Sequence, residues 1–168
     1  MKKIGLISDT HAYLEEKVFD HFSDCDEIWH AGDFGTLEVA KKLQALKPLR
    51  GVFGNIDSKE IRMEFPEKIL FEVEGFKVLI IHIAGIPPNY TPAVKALINS
   101  ENPDIIICGH SHILRVLSDK TRKKLLYINP GAEGKQGFHK IRTIMKFDLN
   151  KKKIENMKVI ELGKRGEI

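Results

Sequence analysis

The chain has 168 residues, 30% of them charged and 42% hydrophobic, and its 27 Lys and Arg slightly outnumber 23 Asp and Glu. That length suits a single domain over residues 1–168, and the balance is that of an ordinary soluble globular protein rather than a disordered or fibrous one. No apolar run reaches membrane-spanning length, and the apolar stretch of MKKIGLISDT is too short for a signal peptide, so a cytoplasmic protein without a membrane partner is expected.

Short apolar runs alternate with helical patterns, which predicts α/β layering. KIGLIS reads as a first strand, followed by helical spacing at Leu14, Val18, Phe19 and Phe22. EIWHAGD is a second strand, and a helix with Leu37, Ala40, Leu43 and Leu46 inward runs up to Pro48. LRGVFGN is the third strand, and ILFEV with FKVLIIH form a hairpin turning at Glu74-Gly75. After the loop IPPNY, Thr91-Pro92 is an N-cap and first-turn pair for the helix AVKALIN. DIIICGH and KLLYINP are strands, and IRTIMKFDL with KIENMKVIEL make a terminal hairpin turning near Asn150.

Two cysteines occur without a CxxC pattern, and one buried thiol (Cys108, ending the run IIIC) and one incidental thiol (Cys25) are expected ahead of the alternative, a disulfide between them. Charge is uneven: from Arg115 onward 15 Lys and Arg face 6 Asp and Glu, whereas the first 114 residues carry 12 against 17. A basic tail suits an anionic substrate or nucleic acid. The stronger reading makes LNKKKIENMK a solvated hairpin tip and edge strand, where Lys discourages edge-to-edge pairing.

The polar residues of interest stand at the downstream ends of apolar strands: Asp9, Asp33, Asn55, His82 and His110. In open α/β sheets those strand ends converge on one rim, where ligands bind. Singly, each has a plain structural reading: Asp9 and Asp33 as turn or cap residues, Gly54-Asn55 as a turn, His82 as a core histidine. Gly109-His110-Ser111-His112 is harder to dismiss, because two His two residues apart after a strand suit a metal. One dinuclear metal centre accounts for all of them together. Carboxylate and imidazole donors favour borderline divalent ions such as Mn²⁺, Zn²⁺, Fe²⁺, Ni²⁺ or Co²⁺ over Ca²⁺, without choosing among them; Mn²⁺ is the expected ion.

The ordered series D-x-H (Asp9, His11), G-D (Gly32, Asp33), G-N-x-D (Gly54, Asn55, Asp57), a strand-end His82 and G-H-x-H (Gly109, His110, His112) resembles the calcineurin-like metallophosphoesterase superfamily. It looks most like the small phosphodiesterases of the YfcE type, over residues 1 to roughly 149, and Asn129-Pro130-Gly131 adds to the likeness. The resemblance implies a four-layer α/β/β/α sandwich of two mixed sheets flanked by helices, with the metal site at the strand C-terminal ends. It implies that Asp9, His11 and His112 bind one ion, that Asn55, His82 and His110 bind the other, and that Asp33 bridges them. Two such ions, roughly 3.5–4 Å apart, activate a bridging water for in-line attack on phosphorus. Asn55 is then catalytic as well as a ligand: its oxygen faces the metal and its NH₂ is free for a phosphoryl oxygen. Ligand imidazoles need their second nitrogens fixed, and His30 and Asp57 are candidates for that role.

Three departures stand out. Ile56 occupies the place where the larger superfamily carries a proton-donating His, which predicts either a preference for acidic leaving groups or an acid recruited from elsewhere. Thr36 replaces a frequent Asp, and the loop IAGIPPNYTP after His82 offers Asn89 and Tyr90 as candidate substrate contacts. The function expected is dinuclear phosphodiester hydrolysis of a small or nucleotide-like substrate, with a homo-oligomer left open. Two alternatives are a protein-interaction scaffold of the same fold, like the retromer subunit, and a nuclease. For the nuclease, neither a capping domain nor aromatic-basic interleaving is found.

Overall fold

The computed structural model describes residues 1–122 and 124–166. Twelve strands and four helices follow in chain order: β1 (Lys2–Ile7), α1 (Lys17–Phe22), β2 (Glu27–His30), α2 (Leu37–Leu46), β3 (Leu49–Gly51), α3 (Lys59–Glu64), β4 (Lys68–Val73) and β5 (Phe76–Ile81). Then come β6 (Gly85–Ile86), β7 (Asn89–Tyr90), α4 (Pro92–Glu101), β8 (Ile105–Ile107), β9 (Arg115–Ser118), β10 (Leu126–Asn129), β11 (Ile141–Asn150) and β12 (Lys153–Lys164). No helix among the described residues is long and apolar enough to cross a membrane.

Ten strands form two five-stranded mixed sheets, ordered β12-β11-β1-β2-β3 and β4-β5-β8-β10-β9. The central pairs β1–β2, β2–β3, β5–β8 and β8–β10 are parallel. The first three of their crossovers pass through helices α1, α2 and α4, and the connection from β8 to β10 runs through strand β9. Side-chain alternation then builds the layers. Ile105 and Ile107 of β8 point into a core shared by the two sheets, with Ile4, Leu6, Trp29, Val78 and Ile80, while Ile106 faces α4 beside Leu79, Val94 and Ile98. On the other side Ile28 meets Val18, Phe22 and Leu43 of the helical layer. Burial on both faces is why these strands read as unbroken apolar runs. The result is the expected four-layer α/β/β/α sandwich.

Several expectations need correction. The first helix begins only at Lys17, so Leu14 lies outside it, in the loop that leaves His11 and Ala12 at φ of 45° and 65°. Helix α3, capped by Ser58 accepting from the Ile61 amide at 3.4 Å, occupies a stretch without an assigned element. The edge strand β9 and the small β6–β7 ribbon inside the expected loop are also additional. Both cysteines are buried and free, so neither is incidental. The Glu74-Gly75 turn has φ of 49° and 82°, the pair of positive angles that a two-residue hairpin favours.

The basic hairpin behaves as an edge. β12 borders its sheet, and the β11–β12 tip lies against Glu74, where the Lys152 amide donates to the Glu74 carbonyl at 2.7 Å. The N-terminal ammonium reaches the same Glu74 at 2.8 Å. This tip therefore belongs to the rim where β1 starts, opposite the rim where β1 ends and Asp9 begins.

Candidate metal centre

The loops leaving β1, β2, β3, β5 and β8 bring Asp9, His11, Asp33, Asn55, His82, His110 and His112 to one place. Two groups have ligand atoms within 4.8 Å of one another: Asp9, His11 and His112, and Asp33, His82 and His110. Asn55 joins the second, its Oδ1 lying 3.1 Å from His82 Nε2 and 2.9 Å from His110 Nδ1. Asp33 Oδ2 stands between the groups, 3.5 Å from His11 Nε2 and 3.2 Å from His82 Nε2. All seven sequence-derived candidates thus lie together, with Asp33 grouped beside His82 and His110.

Local backbone makes this convergence possible at some conformational expense. Asp9, His11, Asp33, His110 and His112 all have φ between 45° and 70°. Non-glycine residues in this region cost on the order of 1 kcal/mol or more each and cluster at functional sites. Backbone bonds between adjacent loops hold them: the amides of Asp9, His11 and Ala12 donate to Gly32, Asp33 and Phe34 carbonyls at 3.0, 3.1 and 2.8 Å. Two motif glycines answer to close approach. A Cβ on Gly54 would lie 2.0 Å from Asp33 Oδ1, and one on Gly109 would lie 2.5 Å from Asp9 Oδ2.

The donor atoms are oriented for a cation. Asp9 Oδ2 accepts from Ser8 Oγ at 2.6 Å and from the His110 amide at 3.1 Å, which leaves Oδ1 for the centre. His82 Nδ1 lies 2.7 Å from the Ala31 carbonyl, which can only accept, so Nδ1 carries the proton and Nε2 offers its lone pair. That lone pair, Asn55 Oδ1 and Asp33 Oδ2 are three acceptors facing one another. Asp9 Oδ1 and His11 Nε2 are buried with no hydrogen-bond partner. Such a set needs a positive charge among its members, and a pair of divalent ions fits it.

Charge in the cluster follows the same logic. Burial alone would raise the Asp9 carboxyl, yet the imidazoles of His11 and His112 hold it well below the usual carboxylate range. Burial opposes Asp33 as well, and His82 with the Ile56 amide keeps it low. His11 is raised by Asp9, against burial. For His82, burial is outweighed by Asp33 and Asp9, and the ring is also raised.

The supporting residues differ from expectation. Neither His30 nor Asp57 hydrogen-bonds to a candidate ligand imidazole. His30 is fully buried and held neutral, its pKa pushed down to about 3 by burial. Its Nδ1 accepts from the Gly32 amide at 3.1 Å and its Nε2 meets Thr10 Oγ1 at 3.1 Å, bracing the first two ligand loops. Asp57 accepts from the Gly35 and Gly54 amides at 2.9 and 2.8 Å and so clamps the Asp33 loop to the Asn55 loop. The imidazoles are fixed instead by the Ala31 carbonyl and by His139, whose Nδ1 lies 3.2 Å from His112 Nδ1. His139 sits in an irregular loop with no motif around it, and no sequence signal pointed to it.

Asn89 and Tyr90 are also corrected. Tyr90 is 8% exposed, packs in the α4 core and donates its hydroxyl to Asp119 at 2.7 Å. Asn89 is exposed in the β6–β7 ribbon, and neither residue lines the cleft beside Asn55 and His82. Ile56 is 46% exposed, and its amide donates to Asp33 Oδ1 at 3.0 Å, so this position helps through its backbone alone.

Residues 1–152 match the model of the calcineurin-like phosphoesterase superfamily domain. The chain belongs to that superfamily. It is 36% identical over 136 residues to a probable metallophosphoesterase of Methanothermobacter thermautotrophicus, covering 77% of this chain and 76% of that protein. Among solved structures it resembles the E. coli phosphoesterase Yfce, with TM-score 0.63 and 21% identity over 93% of this chain and 98% of that one. It also resembles Vps29 of Entamoeba histolytica solved with Zn²⁺, with TM-score 0.73 and 17% identity over 98% of this chain and 99% of that one. Members of this superfamily use divalent metals, and the two residue groups above are where this chain can hold them.

Proposed function

We propose that the protein is a two-metal phosphodiesterase acting on small, nucleotide-like diesters, with Mn²⁺ as its working ion and the cytoplasm as its location. The carrying observation is Asp33 Oδ2, placed between His11 of one ligand group and His82 of the other. Two divalent ions supply Lewis acidity toward phosphoryl oxygens and make water a competent nucleophile for in-line displacement. Asp9, His11 and His112 would hold the first, and Asn55, His82 and His110 the second, with Asp33 shared. His82 keeps its lone pair inward by donating Nδ1–H to Ala31. Asn55 turns its oxygen to the imidazoles, and its NH₂ is then free to donate to a phosphoryl oxygen. Ile56 cannot hand a proton to the departing oxygen, so the reading includes a preference for acidic leaving groups.

The complete ligand set supports catalysis over a purely scaffolding role. The nuclease alternative loses its motive, since the basic tip of β11–β12 sits at the rim opposite the metal ligands. The test is hydrolysis of bis(p-nitrophenyl) phosphate with Mn²⁺ by the Asp33→Ala protein. Loss of at least about 10²-fold in turnover is expected, and wild-type turnover by a folded variant would refute the reading.

A further inference from the structure

A cleft of about 340 Å³ has Asn55 and His82 in its wall, so a group lying in it is within covalent reach of a phosphorus held at the metal centre. Beyond those two residues it is bounded by Phe53, Arg62, Ile83 and Ala93. Arg62 places its guanidinium 4.4 Å from the Phe53 ring centroid. It is fixed there: Nε donates to the Asp57 carbonyl at 2.8 Å, and Nη2 approaches the Gly54 and Asn55 carbonyls at 3.4 and 3.3 Å. A guanidinium tied down on a ring is a flat, preorganised surface rather than a mobile charge.

Three further properties narrow what fits. Ile83 leaves 39% of its surface open, offering branched aliphatic contact. Arg62 and Glu67 are the charged residues of the lining, one of each sign, so the cleft carries no net formal charge. The volume is at the lower end of the roughly 300–1,000 Å³ of small-molecule clefts, room for one ring system with its linker and too little for a strand.

We propose that this cleft receives the organic group of the phosphoester and selects a planar aromatic or heteroaromatic ring. The proposal rests on the phosphoesterase reading of the neighbouring centre. Its test is calorimetric titration of the Mn²⁺-loaded chain with phenylphosphonate and methylphosphonate, whose P–C bonds hydrolysis does not cleave. The phenyl compound should bind about tenfold more tightly, the scale of one buried ring. In Ala93→Trp, which fills the cleft from the exposed first turn of α4, that ratio should fall to near one. Ile83→Ala, which removes a wall, should also lower it, and it decides the matter if the Trp variant does not fold. Equal affinities in the wild type, or a tenfold ratio surviving in the folded Trp variant, would overturn the cleft assignment while leaving the phosphate site standing. Failure of both phosphonates to bind would instead overturn the phosphoesterase reading and the cleft proposal with it.

Discussion

His139 faces His112 through their Nδ1 atoms at 3.2 Å, while His112 Nε2 looks the other way, 3.2 Å from Asp9 Oδ1. His139 Nε2 lies 2.9 Å from the Gly134 carbonyl and must donate to it, so Nδ1 is left to accept from His112. Burial lowers the His139 pKa, which keeps the ring neutral and able to accept. The pair therefore sets the His112 tautomer and turns its lone pair toward Asp9. His139→Ala should weaken Mn²⁺ binding at the first site about 10–100-fold, the usual effect of removing such a support. His139→Gln, which retains an acceptor oxygen, should recover part of it. Calorimetric Mn²⁺ titration of both variants measures this, and unchanged affinity in His139→Ala would mean that His112 orients itself.

The side chain at position 56 decides leaving-group range. Ile56 stands beside Asn55 with nearly half its surface open and carries no proton to give. Turnover should drop steeply from aryl to alkyl phosphodiesters. Ile56→His should narrow that gap, by up to about 10²-fold on alkyl esters, the lower end of what general acid catalysis contributes. Parallel slopes of log kcat against leaving-group pKa in wild type and variant would count against the missing-acid argument.

Much of this site was legible before any coordinates because strand ends are legible. Ile4–Ile7, Ile80–Ile81 and Ile105–Ile107 are buried on both faces, so their apolar runs end within three residues of Asp9, His82 and His110. The hairpin at Glu74-Gly75 announced itself through a residue that tolerates positive φ. Where local pattern and tertiary context part, the reading failed. Leu14 kept helical spacing with Val18, but the His11 and Ala12 backbone is shaped by bonding to Asp33 and Phe34 carbonyls. β9 is an edge strand with exposed Val116 and Leu117, so it lacks the alternation that burial imposes. Helix α3 has only six residues, and His139 owes its role to a residue 27 positions away in sequence.

Glu133 makes stability depend on pH in an unusual direction. It is fully buried; burial pushes its carboxyl up to about 8 from 4.5, against the Glu15 amide, which donates to Oε1 at 2.8 Å, and the charge of Arg142. The folded protein thus keeps this proton where the unfolded chain has already released it. Stability from this group is complete below about pH 4.5, falls as pH rises toward 8 and is level above that. Glu133→Gln should flatten the decline across that window. Urea unfolding at intervals from pH 5 to pH 9 checks it, and identical pH slopes in both proteins would exclude Glu133 as the cause.

The central claim is that seven side chains hold two ions with Asp33 between them, and anomalous diffraction from Mn²⁺-soaked crystals addresses it directly. Two peaks are predicted, one among Asp9, His11 and His112 and one among Asn55, His82 and His110, each within ligand distance of the Asp33 carboxylate. A single peak, or two peaks that Asp33 does not share, would contradict the account.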